Sequence, residues 1–228
     1  MIENRNSQKL ASYTSGRTDI ISCVPKTVLK ILDIGCSNGT LGATLRSQLP
    51  YRYVAGVEFD QSFCDEARSN LDLVVQGDLN QFQWDKHFES ESFDCLIFAD
   101  VLEHLIDPWT VLYKAIDLLE KNGVVVISLP NIRHISAFSE IYIKGTFPKK
   151  NRGIFDQTHF RWFTLSDSLE LCKQANLIVN NIAPRLRVKD KPGGKLNNFV
   201  DQHFGVIASW YPIREFLSYQ FIITAIKK

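Results

Sequence analysis

The stretch Leu32-Asp33-Ile34-Gly35-Cys36-Ser37-Asn38-Gly39 decides how this chain is read. It closes a β-rich run, Val28 to Ile34. It opens a segment, Thr40 to Leu49, that sets Leu41, Leu45 and Leu49 on one helical face. Small residues at such a turn let a ligand approach the backbone, and a helix N-terminus presents unpaired N–H groups to an anion. Three chemistries compete for it. The dinucleotide fingerprint G-x-G-x-x-G fails, because Ser37 and Thr40 stand at its second and third glycines. The hydrolase elbow G-x-S-x-G is met literally, with Ser37 as the nucleophile. Yet this turn follows the first strand, whereas an elbow normally has several strands before it. The third reading rests on Glu58, which ends the next strand 23 residues after Gly35. An acid about 20 residues on is what hydrogen-bonds a ribose diol, and the elbow reading has no use for it.

Working outward, apolar runs alternate with helix-period segments. Strands are predicted at Val28–Ile34, Tyr53–Val57, Leu73–Val75, Phe93–Phe98, Val124–Leu129, Leu177–Ala183 and Phe221–Ile226. Asp60 is placed to cap a helix through Leu71. Asp107-Pro108 reads as N-cap and first helical position of a helix running to about Lys121, where Asn122-Gly123 stops it. Thr164 to Asp167 reads as a capping box for a helix through Ala175. This alternation predicts a mostly parallel seven-stranded α/β sheet with helices on both faces. Its strand C-terminal ends then form one ligand-binding edge. Residues 144–163 and 185–204 lack periodicity and read as substrate-loop insertions. Residues 1–27 read as an N-terminal helical lid on a domain spanning 28–228.

Composition excludes whole classes. The 228 residues suit one domain with a real core. Lys and Arg total 26 against 25 Asp and Glu, which gives no electrostatic case for a nucleic-acid partner. The five cysteines are odd in number and contain no C-x-x-C, so neither a disulfide framework nor a zinc knuckle is expected. A reducing, cytoplasmic setting is expected. The first nine residues are polar, unlike a signal peptide. No apolar run approaches the roughly 20 residues of a membrane span.

With the turn and its paired acid in place, the chain resembles class I S-adenosylmethionine (SAM)-dependent methyltransferases, which have a Rossmann-like fold. The turn matches D-x-G-C-G/S-x-G, with Ser37 for the commoner glycine. Gly56-Val57-Glu58-Phe59-Asp60 resembles the ribose-binding strand end, Gln76-Gly77-Asp78-Leu79 the adenine loop, and Ala99-Asp100-Val101-Leu102-Glu103-His104 the fourth-strand motif beside the methionine portion. The likeness extends to a bacterial subgroup found among surface-polysaccharide genes. It is carried by Tyr13 with Arg17-Thr18-Asp19-Ile20, by Ser128-Leu129-Pro130-Asn131-Ile132-Arg133-His134, and by Asp156 to Thr164. The resemblance implies SAM as cofactor, held by Tyr13, Arg17, Asp33, Gly35, Ser37, Gly39, Glu58, Phe59, Asp78, Leu79, Asp100 and Val101. It further implies O-methylation of a glycan or glycan-lipid intermediate in polysaccharide biosynthesis. The alternative is a small-molecule or quinone-type O-methyltransferase. A serine hydrolase and a non-catalytic cofactor-binding protein rank below these.

A sulfonium is already a good leaving group, so alignment of the acceptor dominates the chemistry. A hydroxyl acceptor also gains from a general base, and histidine suits that role. His159 is the first candidate, with Asp156 three residues before it to orient its ring and raise its basicity. His104, nearer the cofactor motifs, is the second. His134 and Arg161 are expected to contact the acceptor, Arg161 through an anionic group. Asp100, Glu103 and His104 have helical spacing, but no metal-ligand motif is present, so no metal is expected.

Overall fold

The computed structural model describes residues 17–187 and 211–228. Tyr13 and the insertion beyond residue 187 lie outside them. Seven strands form one sheet: β1 (Lys30–Ile34), β2 (Tyr53–Glu58), β3 (Leu73–Gln76), β4 (Phe93–Ala99), β5 (Leu119–Pro130), β6 (Leu177–Leu186) and β7 (Ser218–Lys227), in the order β3-β2-β1-β4-β5-β7-β6. Strands β1 to β5 are parallel neighbours. The sheet as a whole is mixed, because β7 runs antiparallel to both β5 and β6. The helix Tyr211–Leu217 ends where β7 begins, and Pro130 at the end of β5 pairs with Gln220. The last strand therefore starts at the ligand edge and runs back across the sheet. An apolar run such as Phe221–Ile226 carries no direction, so the sequence could not announce this.

Local capping follows the side-chain chemistry. Asp60 accepts from the N–H groups of Ser62 and Phe63, Asp107 from that of Thr110, and Thr164 forms a full capping box with Asp167. The helix after Asp107 is shorter than its pattern suggests. It covers Pro108–Ala115, passes into a tight turn at Ile116–Leu118, and yields to β5 at Leu119. Leu119 pairs with Phe93, and Asn122 takes a left-handed φ of 64°. Strand pairing won those residues over helical periodicity.

Successive strand side chains point to opposite faces. Leu32, Ile34, Leu96 and Phe98 pack on one side with Leu112 and Leu171. Ile31, Val54, Cys95 and Ile97 pack on the other with Leu45. Ile20, Ile21 and Val24 join this second core, Ile20 with no exposed surface. Three residues of the segment expected as a lid are therefore anchored in the sheet's core, while Thr18, Ser22, Lys26 and Thr27 are exposed. Among the described residues, no helix is long and apolar enough to cross a membrane.

Ile20→Ala should destabilise the protein by about 2–5 kcal/mol in urea unfolding, as expected for emptying a full core site. A change below about 0.5 kcal/mol, typical of surface positions, would return the segment to the role of a loose cover.

Candidate cofactor and acceptor site

Pairing of Ile34 with both Val57 and Phe98 brings the C-terminal ends of β1, β2 and β4 to one edge. The turn after β1 needs its glycines. Gly35 and Gly39 have φ of 78° and 77°, and a Cβ on Gly35 would stand 2.4 Å from Val101 Cγ2. Ser37 also takes a left-handed φ of 49°. Its N–H donates to Glu58 Oε2 at 2.8 Å, while Glu58 Oε1 accepts from the N–H groups of Phe59 and Asp60, each at 2.9 Å. Glu58 thus clamps the turn to the end of β2. Ser37 Oγ is buried without a hydrogen-bond partner, so it lacks the adjacent base a nucleophile needs. Among the described residues the hydrolase arrangement is absent.

Phe59 is 71% exposed, so it is no core residue and its ring is open to a planar ligand. Asp78 closes its own loop, accepting from the N–H and Nδ2 of Asn80 at 2.9 Å each, and Leu79 packs against the first core. Asp33 is buried, with Oδ1 unpartnered. Burial and the Glu58 charge push its pKa up to about 7, against the opposing pull of Arg17.

Asp100, with φ of 57°, anchors a polar network. Arg17 Nη1 donates to Asp100 Oδ2 at 2.6 Å, and Ser128 Oγ donates to Oδ1 at 2.7 Å. Gln220 Nε2 also donates to Oδ1. Arg17 Nε donates to Asp19 at 3.1 Å. Burial opposes the charge on Arg17, but Asp100 and Asp19 outweigh it and hold the guanidinium protonated. A cationic amine facing Asp100 must share it with Arg17. Ser128 and Gln220 escaped sequence reasoning. The position of Gln220 depends on the antiparallel strand, and nothing local marks it.

The loop of residues 144–163 lies across the turn at Leu102–His104. The N–H groups of Phe160 and Arg161 donate to the Glu103 carbonyl at 2.9 and 3.1 Å. His104 and His159 meet edge to face, with ring centroids 4.6 Å apart. Three expectations change here. Asp156 accepts from Thr158 N at 2.9 Å and Thr158 Oγ1 at 2.7 Å, whereas His159 Nδ1 pairs with the Ile154 carbonyl at 3.1 Å. Asp156 therefore does not orient the His159 ring. Burial and neighbouring His104 lower the His159 pKa to about 4, the reverse of the raised basicity expected. His134 is buried. Its Nδ1 accepts from Ser136 N–H at 3.2 Å and its Nε2 lies 2.6 Å from the Arg187 carbonyl. It caps the short helix Ile135–Phe138 rather than facing the edge. Arg161 donates from Nη2 to the Ile106 carbonyl at 2.6 Å and lies over Trp109, while its buried Nε has no hydrogen-bond partner among the described residues.

The model of the family "Methionine biosynthesis protein MetW" matches residues 17–210. The chain belongs to the MetW family. It is also similar to ubiquinone biosynthesis O-methyltransferases of Histophilus somni, at 26% identity over 68% of this chain and 67% of that protein, and of Pasteurella multocida, at 24% over 65% of each. A SAM-dependent methyltransferase from Mesorhizobium loti superposes with a TM-score of 0.63 at 15% identity, covering 93% of this chain and 98% of that one. The fold is thus that of SAM-dependent methyltransferases, and the curated relatives are named O-methyltransferases. The same fold also carries the [4+2]-cyclase SpnF, at a TM-score of 0.61, 14% identity and coverage of 93% and 85%.

The residues of this MetW-family protein fit SAM. The turn leaves no room for a Cβ at Gly35, and the buried hydroxyl of Ser37 awaits a partner. In isothermal titration, SAM should bind and NAD should not. Glu58→Ala should weaken SAM binding by about 1–3 kcal/mol, the worth of hydrogen bonds to a charged group. Unchanged affinity in a folded variant would remove Glu58 from the site.

Asp33 gives a second prediction. Folded Asp33 keeps its proton up to about pH 7, while the unfolded carboxyl loses it near about 4. Its stabilisation is complete below pH about 4 and is lost as pH rises through about 7. Asp33→Asn should therefore flatten the decline in unfolding free energy between pH 5 and 8. A variant with the wild-type slope would show that another group sets it.

Proposed function

We propose that the protein methylates a hydroxyl group of a small, largely apolar acceptor of the quinone or catechol type. The carrying observation is an aromatic ledge on the loop that carries His159. Phe147 packs edge to face on Trp162 at 5.0 Å, Trp162 Nε1 donates to the same Ile154 carbonyl that pairs with His159 Nδ1, and Phe160 is 56% exposed. Such a ledge suits an apolar ring better than a hydrated sugar. Lys150, in the basic run 149–152, reaches back to Glu140 at 3.0 Å rather than outward as a phosphate contact. The curated relatives named above are O-methyltransferases of ubiquinone biosynthesis, and a glycan acceptor has no support among them.

When bound, SAM supplies a methyl group on a sulfonium, an electrophile that needs only an aligned oxygen nucleophile. The chain's own residues do the rest. Glu58 and Phe59 suit the ribose and adenine, and Asp78 lies in the loop beside them. Val101, packed on Gly35, begins the turn that carries Glu103 and His104, so acceptor and cofactor sites share one wall. The loop bearing Phe160 and His159 is tied to this turn by the N–H groups of Phe160 and Arg161, which donate to the Glu103 carbonyl. With its pKa near 4, His159 is neutral at physiological pH and a weak proton acceptor.

A second reading is a SAM-binding protein without turnover; the name of its family refers to methionine biosynthesis and to no methyl transfer. One assay separates the two. The purified protein should convert polyprenylated and simple catechols to mono-methyl ethers with SAM, and leave sugar nucleotides unmodified. Methylation of sugar nucleotides alone would overturn the acceptor class. SAM binding with no turnover on any acceptor would favour the second reading.

A further inference from the structure

We propose that Glu103, His104 and His159 form a binding site for one divalent ion of the manganese-to-zinc series, placed to hold the acceptor oxygen. One ligand atom from each residue lies within 4.8 Å of the others. Glu103 is the independent witness. Only 1% of its surface is exposed, yet among the described residues neither Oε1 nor Oε2 has a hydrogen-bond partner. A buried carboxyl without partners is costly; it keeps its proton or takes a cation, and a divalent ion beside two imidazoles displaces that proton.

The hydrogen bonds around both rings prepare them as ligands. A carbonyl oxygen only accepts, so His159 Nδ1 carries the proton donated to Ile154, which leaves the lone pair on Nε2. Thr158 Oγ1 donates to Asp156, so it accepts from His104 Nδ1 at 3.1 Å, with the Thr158 carbonyl 3.2 Å from the same nitrogen. The lone pair of His104 is again on Nε2. The Asp156–Thr158–His104 chain is the kind of outer-shell support that fixes a metal-binding tautomer. Two imidazoles and one carboxylate are ligands typical of iron and zinc sites that keep open positions. Asp100 stays outside the set, held by Arg17, Ser128 and Gln220.

The role of the ion rests on the methyltransferase reading; its binding does not. An acceptor hydroxyl on an open position would be acidified. Its proton passes to solvent water, the freed oxygen bonds to the methyl carbon, and the carbon–sulfur bond breaks to leave a neutral thioether.

The test uses full-length protein freed of metal by chelation and titrated with Mn2+ and Zn2+ by calorimetry, with Mn2+ spin resonance as a second readout. One equivalent should bind. Glu103→Gln and His159→Asn should weaken binding at least about tenfold, and Thr158→Val about 10–100-fold, with SAM affinity retained as the check on folding. Failure of the folded wild type to bind either ion would overturn the site, as would unchanged binding in both ligand variants. Ion and SAM binding without methyl transfer to any acceptor would keep the site and discard the methyltransferase reading. Full turnover after metal removal would overturn the ion's role in catalysis.

Discussion

The approach of Val101 to Gly35 is the contact on which the rest depends. With 2.4 Å between Val101 Cγ2 and the place a Cβ would take, only glycine fits. The positive φ of 78° removes the remaining choice. That contact follows from β1 lying beside β4, the point where strand order reverses and a crevice opens. It fixes the glycine turn against the start of the Leu102–His104 turn. The cofactor wall and the acceptor wall are therefore two sides of one packing event. Glu58 completes the arrangement by accepting three backbone N–H groups.

Charge is handled differently on the two sides. Beside the turn, Asp100 is saturated by Arg17, Ser128 and Gln220, contributed by the N-terminal segment, β5 and β7. This network joins elements far apart in sequence and holds the edge rigid before any ligand arrives. Across the turn, burial and the charge of Asp100 hold the Glu103 carboxyl well above the usual carboxylate range. One carboxyl group is paired with three side chains, and its neighbour three residues on has no hydrogen-bond partner among the described residues. A low-dielectric interior makes such an unpaired group expensive. Its persistence beside two oriented imidazoles suits a cation better than it suits packing.

Sequence by itself determined what local chemistry dictates. The turn Asp33–Gly39, the acid Glu58, the caps at Asp60, Asp107 and Thr164, and the first five parallel strands all follow from spacing and residue type, because the interactions involved span only a few residues or one β–α repeat. Tertiary structure decided the rest. The direction of β7, the burial of Ile20 and the interior place of His134 depend on pairing and packing between distant segments. So does the meeting of His159 with Glu103 and His104, because ligands separated by more than 50 residues leave no periodic trace until the loop folds over the sheet edge.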